Sequence, residues 1–240
     1  RVYSVSGTLR DANNIPVEAV PVKSFGERET VAVSGVNGKY ELVYLPSGDY
    51  SVMPASRYFR SDPAQRYYSP LNNFEIGADF MLTPRRGSLV FRYHEGWNLV
   101  SIPLDPDEKD LETLLPDAIP PAYAFDPDSG YVMRSVLEAT KAYWIKFAVE
   151  DSIVLDGVLI RDMAVSYGPG ESGWHLFGMP SGPCPVSGVV EAPSDMFVTP
   201  YEYDPVSGYR SPLDAMLRSG KGYFVKILKS GIVRVRAREE

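Results

Sequence analysis

The chain has 240 residues, enough for one to three domains and a sizeable buried core. Its formal net charge of −7 and pI near 5.0, with no cluster of Lys or Arg, argue against nucleic acid as a partner. No apolar run approaches the roughly 20 residues that cross a bilayer, and the single cysteine, Cys184, excludes an internal disulfide framework and reads as an inert thiol.

The chain starts with Arg1 rather than Met and enters a strand pattern at once, which reads as a processed form or an excised fragment. In Val2–Arg10, Tyr3, Val5 and Leu9 alternate with Ser4, Ser6 and Thr8, the period of a half-buried strand. Further strands are predicted at Val17–Phe25, Glu29–Ser34, Lys39–Leu45, Tyr50–Ala55 and Ala78–Thr83. Turns at Asn37-Gly38 and Pro46–Asp49 separate them. Short strands at this spacing argue for a sandwich. Arg57–Pro70 reads as a long loop. Its Tyr58, Phe59, Tyr67 and Tyr68 are candidates for an aromatic platform that stacks on sugar rings, against the competing reading that they pack onto the sandwich.

The stretch "SGVNGKYELVYLPSGDYSV", Ser34 to Val52, resembles the central part of carboxypeptidase regulatory-like domains, with its Gly-x-Tyr-x-Leu followed by Leu-Pro-x-Gly-x-Tyr-x-Val. "VSGTLRDANNIPVEAVPV" and "ADFMLTP" resemble that family's first two strands and its last. Ser34-Gly35 departs from the family's frequent Thr-Asp. The resemblance covers residues 1–85 and implies a transthyretin-like β-sandwich serving as an accessory module, without catalysis.

Thr83–Gly87 is read as a linker to a second domain over residues 88–240. That domain repeats itself, with one copy at about 88–160 and another at about 161–240. "GWNLVSIP" from Gly96 returns as "GWHLFGMP" from Gly173, an offset of 77. Tyr123–Tyr131 aligns with Tyr201–Tyr209 at 78, and Lys141–Phe147 with Lys221–Ile227 at 80. Ordered blocks with drifting offsets mean internal duplication with small insertions. "FDPDSGY" and "YDPVSGY" are hairpin turns, in which Gly130 and Gly208 accept left-handed geometry. "AYWIKF" and "GYFVKI" are strands, and Asp107–Leu115, Arg134–Thr140 and Leu213–Arg218 are short helical stretches. The octet strands carry apolar groups on both faces. Both copies are therefore expected to interlock into one hydrophobic interior, with Trp97 and Trp174 hidden in it.

The repeated residues are Gly, Trp, Leu, Pro and Tyr, which shape turns and fill cores, and no catalytic combination is among them. These blocks resemble the "GWNLIGLP … YxYDPxxGY … GxGYWVK" repeats of large bacterial and archaeal surface proteins, which implies an extracellular multidomain setting. His94 and His175 are the only histidines, and His175 takes the slot of Asn98, so each reads as lining a strand edge. The acidic turns Asp105-Pro-Asp-Glu108 and Asp126-Pro-Asp128 offer hard oxygen ligands for a structural Ca²⁺, the one cofactor considered, with Asp126 and Asp128 the candidate ligands.

The expected fold is all-β: an N-terminal transthyretin-like sandwich followed by a duplicated, pseudo-symmetric β-rich domain with a few short helices. The expected function is a non-enzymatic structural or adhesive segment of a secreted or cell-surface protein. Such a segment spaces or presents other modules, or meets a protein or carbohydrate partner. The alternatives are a carbohydrate-binding module with exposed, coplanar aromatics, and an accessory part of a hydrolase with paired carboxylates in a pocket.

Overall fold

The computed structural model describes residues 1–239, so Glu240, the last residue of the expected second domain, lies outside the described part. Its regular structure is almost wholly β-strand, and among the described residues one four-residue α-helix and two 3₁₀ turns are the only helical elements. It divides into two compact units, Arg1–Arg85 with Glu239, and Arg86–Arg238.

The first unit contains β1 (Val2–Asp11), β2 (Pro21–Gly26), β3 (Thr30–Val33), β4 (Lys39–Pro46), β5 (Gly48–Pro54), β6 (Phe59–Asp62), β7 (Arg66–Leu71) and β8 (Phe80–Pro84). They form two four-stranded sheets in the orders β4-β1-β8-β6 and β3-β2-β5-β7. Period-two alternation turns Val5, Leu9, Leu42, Leu82, Val22 and Val52 into one shared core between the sheets. Ser34 is buried in it: its hydroxyl accepts from the Val20 amide (3.0 Å) and donates to the Val17 carbonyl (2.9 Å). The expected loop 57–70 is instead mostly β6 and β7, each at the edge of its sheet, where a proline such as Pro70 does not break the ladder.

The second unit starts without an extended linker, since β8 ends at Pro84 and the next strand begins at Arg86. Its first copy comprises β9 (Arg86–Tyr93), β10 (Gly96–Ser101), β11 (Leu104–Pro106), α1 (Leu111–Leu114), β12 (Ala118–Asp126), β13 (Gly130–Arg134), β14 (Ala142–Phe147) and β15 (Asp151–Leu159). The second copy comprises β16 (Asp162–Tyr167), β17 (Gly173–Phe177), β18 (Cys184–Pro185), β19 (Val190–Ala192), β20 (Tyr201–Asp204), β21 (Gly208–Arg210), β22 (Met216–Leu217), β23 (Tyr223–Ile227) and β24 (Gly231–Arg236).

The sheets match from copy to copy. β10-β14-β12-β13 corresponds to β17-β23-β20-β21, and the antiparallel pair β9–β15 corresponds to β16–β24. Each copy closes its own core between its two main sheets. The first is rich in Leu and aromatics, with Tyr93 stacked on Phe147 at 4.0 Å, and the second is filled with Met163, Met179, Met196 and Cys184.

The helical stretches contract on folding. Of Asp107–Leu115, Asp110 bridges Val136 and the Lys109 carbonyl accepts from the Leu137 amide (2.8 Å), so only Leu111–Leu114 is helical, capped by the Asp110 carboxylate on the Glu112 and Thr113 amides. Arg134–Thr140 is not helical, because isolated bridges at Val136 and Ala139 hold it extended. Only Leu213–Ala215 of the third stretch forms a 3₁₀ turn. Burial pushes the Cys184 thiol pKa up, which leaves it protonated and unreactive at neutral pH.

Candidate functional site: an aromatic groove between the two copies

On β14, Tyr143, Ile145 and Phe147 point into the first core, so Trp144 and Lys146 point to the opposite face of the sheet. Register then decides which side chains join Trp144 there. Leu99 of β10 and Tyr123 of β12 lie opposite it, and Phe125 lies opposite Tyr131. The second copy repeats the pattern with Phe224 opposite Leu176 and Tyr201, and Tyr203 opposite Tyr209.

The ring geometry repeats with it. Trp97 meets Tyr123 at 5.8 Å and 57°, as Trp174 meets Tyr201 at 6.0 Å and 59°. Trp97 meets Trp144 at 6.5 Å and 81°, as Trp174 meets Phe224 at 6.2 Å and 79°. Phe125 and Tyr131 stand 5.3 Å apart, and Tyr203 and Tyr209 5.5 Å. Across the divide Trp144 packs edge-on against Tyr203 at 4.7 Å, and its counterpart Phe224 packs against Phe125 at 5.8 Å. The Trp144–Tyr203 contact thus has a mirror in the other direction, as a pseudo-twofold interface requires, while the further contact of Trp144 with Tyr209 at 6.4 Å belongs to one direction alone. Edge-to-face pairs of this kind contribute about 0.5–1.5 kcal/mol each beyond their burial.

Backbone groups lock the same interface. The Ser101 amide donates to the Gly220 carbonyl (3.0 Å) and the Gly222 amide to the Leu99 carbonyl (3.1 Å). The Ser101 hydroxyl accepts from the Met179 amide (3.1 Å), and the Ser181 hydroxyl donates to the Pro103 carbonyl (2.6 Å). Gly178, the counterpart of Ser101, lies so close to the Thr140 carbonyl that a Cβ there would overlap it.

This corrects the expectation that Trp97 and Trp174 are hidden. Asn98, Leu99, Val100 and Ser101 are buried, but the two tryptophans at the strand starts are 43% and 42% exposed. The sequence fixes which face each Trp takes, not how far the opposing copy covers it. Trp97 lines an open groove of about 360 Å³ together with Tyr123, Tyr131, Trp144 and, from the other copy, Tyr203. The groove walls include no acidic group or imidazole.

Of the four loop aromatics, Tyr58 is buried, Phe59 and Tyr68 pack against the core of the first unit, and Tyr67 is 70% exposed. They are not gathered on one open face. Asp126 Oδ1 accepts from the Asp128 and Ser129 amides (3.1 and 2.8 Å), and Asp204 does the same with Val206 and Ser207 (3.0 and 2.9 Å). These are Asx turns. The Ser129 amide chiefly holds the Asp126 pKa below the usual carboxylate range, and the Ser207 amide and hydroxyl chiefly lower that of Asp204 to about 2. Among the described residues no group of three or more His, Cys, Asp or Glu is placed to hold a metal ion.

The histidine slot is explained by the duplication. The Asn98 side chain donates to the His94 carbonyl (2.7 Å) and closes the β9–β10 turn; His175 Nε2 is 2.7 Å from the Glu171 carbonyl, the same atom of the second copy. His94 itself lies 3.5 Å from Glu150. Both line a second, polar cleft of about 690 Å³ with Asp151, Asp204, Arg218 and Lys221.

Sequence reading missed Glu202, which is 1% exposed, salt-bridged to Arg210 at 2.9 Å and 3.9 Å from Lys221. The signal was available, because Glu202 and Arg210 replace Ala124 and Val132 at cross-strand positions of the same hairpin.

Fold and site together define an all-β chain of two units, the second a duplicated sandwich joined through aromatic faces. No known protein family matches the chain, and no curated protein matches it. Among solved structures it is similar to the TIE protein of Bacillus anthracis, at 10% identity and TM-score 0.32, covering 100% of this chain and 49% of that one. The chain thus spans about half the length of that protein. It is also similar to BcpA, the major pilin subunit of Bacillus cereus (10% identity, TM-score 0.29, 99% and 85% coverage), and to the major pilin SpaD from Corynebacterium diphtheriae (12%, 0.31, 93% and 81%). None of these similarities is close enough to define a shared fold. No helix among the described residues is long and apolar enough to cross a membrane.

Proposed function

We propose that the chain is a non-enzymatic structural segment of a secreted or cell-surface multidomain protein, in which the duplicated unit acts as a shape-keeping spacer. We take residues 1–85 as a carboxypeptidase regulatory-like, transthyretin-like module beside it. The observation that carries this reading is where the repeated residues go. Trp144 and Phe224 cross-pack the copies, and Asp126 and Asp204 tie hairpins. The Tyr143 and Tyr223 hydroxyls accept the Glu138 and Arg218 amides at 2.9 and 2.7 Å.

These positions, preserved by duplication, are occupied in holding shape. An Asp204 with a pKa near 2 stays ionised at neutral pH and cannot donate a proton. The ring planes at 57° and 81° around Trp97 are not the coplanar platform of the carbohydrate-binding alternative.

Pulling the full chain by its ends in a force microscope tests the proposal. The expected record releases Arg86–Arg238 in one event, because neither copy keeps its interface without the other. Separate release of the two copies at low force, or turnover of any member of a panel of chromogenic glycosides and esters, overturns it.

A further inference from the structure

We infer that the groove walled by Trp97, Tyr123, Tyr131, Trp144 and Tyr203 is a binding site for a small quaternary ammonium cation of the choline type. The inference is independent of the spacer reading.

Shape comes first. Trp97 is inclined 57° to Tyr123 and 81° to Trp144, and Trp144 is inclined 72° to Tyr203, so successive rings turn on one another as the walls of a box. The box holds about 360 Å³, room for a trimethylammonium head and a short tail. It is open to solvent along Trp97 and Tyr131, which are 43% and 54% exposed.

Chemistry narrows the occupant. Aromatic faces carry negative quadrupoles and attract cations, with Trp the strongest. The groove walls offer two indoles and three phenols, and no carboxylate, amide or guanidinium side chain. A primary ammonium or a sugar brings N–H or O–H groups that need acceptors, which this wall supplies poorly, so their desolvation goes uncompensated. An anion meets ring faces of its own sign. A quaternary ammonium carries charge without any N–H donor, so its head leaves no donor unpaired on entering, and the ring faces offset the hydration it gives up. The chain's net charge of −7 also raises the local concentration of cations.

The second copy is an internal contrast. Its counterparts of Trp144 and Tyr203 are Phe224 and Phe125, and Phe224 sits 5.6 Å from Tyr209, so the equivalent rings close on one another. Only the groove on the first copy's face has two indoles around its opening, with the Tyr203 phenol contributed by the second copy.

The test is titration of the full chain, followed by tryptophan fluorescence and by saturation transfer to ligand methyl protons. Choline is compared with 3,3-dimethylbutan-1-ol, its neutral isostere. Choline is expected to bind at least tenfold more tightly than the alcohol, a difference set by cation–π attraction. Trp97→Leu, which keeps an apolar side chain at a half-exposed site, should weaken choline about tenfold, whereas Trp174→Leu should leave binding unchanged. Circular dichroism confirms that both variants fold. Equal affinity for choline and the alcohol, no response to choline, equal losses in the two variants, or preferential binding of a maltooligosaccharide or an oligoproline peptide would each overturn the inference.

Discussion

In the first copy the hairpin opposes Ala124 to Val132, with Ala124 packed on an apolar core; in the second, the same positions oppose Glu202 to Arg210. One backbone accepts either an apolar pair or an ion pair with a buried carboxylate and a half-buried guanidinium, provided both members change together. The contrast extends to the cores, leucine and stacked aromatics on one side, methionine and a thiol on the other. Fold is set by the alternation and by the turns, while the filling varies. What varies least is the ring arrangement on each copy's own face, where distances agree within about half an ångström at three matched pairs, whereas the matched pair across the divide keeps its positions but stands at 4.7 Å in one direction and 5.8 Å in the other.

The comparison can be broken most forcefully at Gly178. Ser101 keeps its side chain, but its counterpart Gly178 presses on the Thr140 carbonyl. Gly178→Ala should lower stability by about 3 kcal/mol, read as a fall in the urea midpoint, because backbone has to move. Next, Arg210→Val leaves Glu202 buried beside Lys221 alone and should remove about 3 kcal/mol, while the double change Glu202→Ala with Arg210→Val, which restores the first copy's pair, should return to within about 1 kcal/mol of the parent. A double-mutant cycle by thermal unfolding checks this; equal losses in single and double variants would show that the copies are not interchangeable here.

A smaller effect is expected at Ser181, whose hydroxyl accepts from the Ile160 amide (2.7 Å) and donates to Pro103. Ser181→Ala should lose about 2 kcal/mol by taking the partner from the part-buried Ile160 amide and the buried Pro103 carbonyl.

The smallest effect is the pH response of the two Asx turns. Both carboxylates have folded pKa values below the ordinary carboxylate value, with Asp204 at about 2. Their stabilisation is therefore complete above about pH 4 and is lost as pH falls through the folded values. Asp204→Asn should flatten the acid limb of a pH–stability curve more than Asp126→Asn does.

The three duplicated blocks were readable because their signals are local: proline and glycine at turns, period two in strands. They became β10 and β17, the two hairpins, and β14 and β23. Glycines 130 and 208 take φ of 76° and 75°, as the turn pattern requires. The edge strands β6 and β7 escaped notice because prolines and polar residues look like loop when only one side of a strand is paired. The helix at 107–115 was over-read, since leucine spacing does not reveal that Lys109 and Asp110 would be held against Val136 and Leu137, far along the chain. The groove was invisible for a related reason. Alternation places Trp97 on a face, and only the docking of the other copy determines how much of that face stays open.

The matched contacts across the divide carry a consequence for ancestry. A surface in which Trp144 meets Tyr203 while Phe224 meets Phe125 is one that two identical chains could have shared before they were fused. Residues 86–160 expressed alone should therefore self-associate through that surface, re-creating as a homodimer what gene fusion later joined into a single polypeptide.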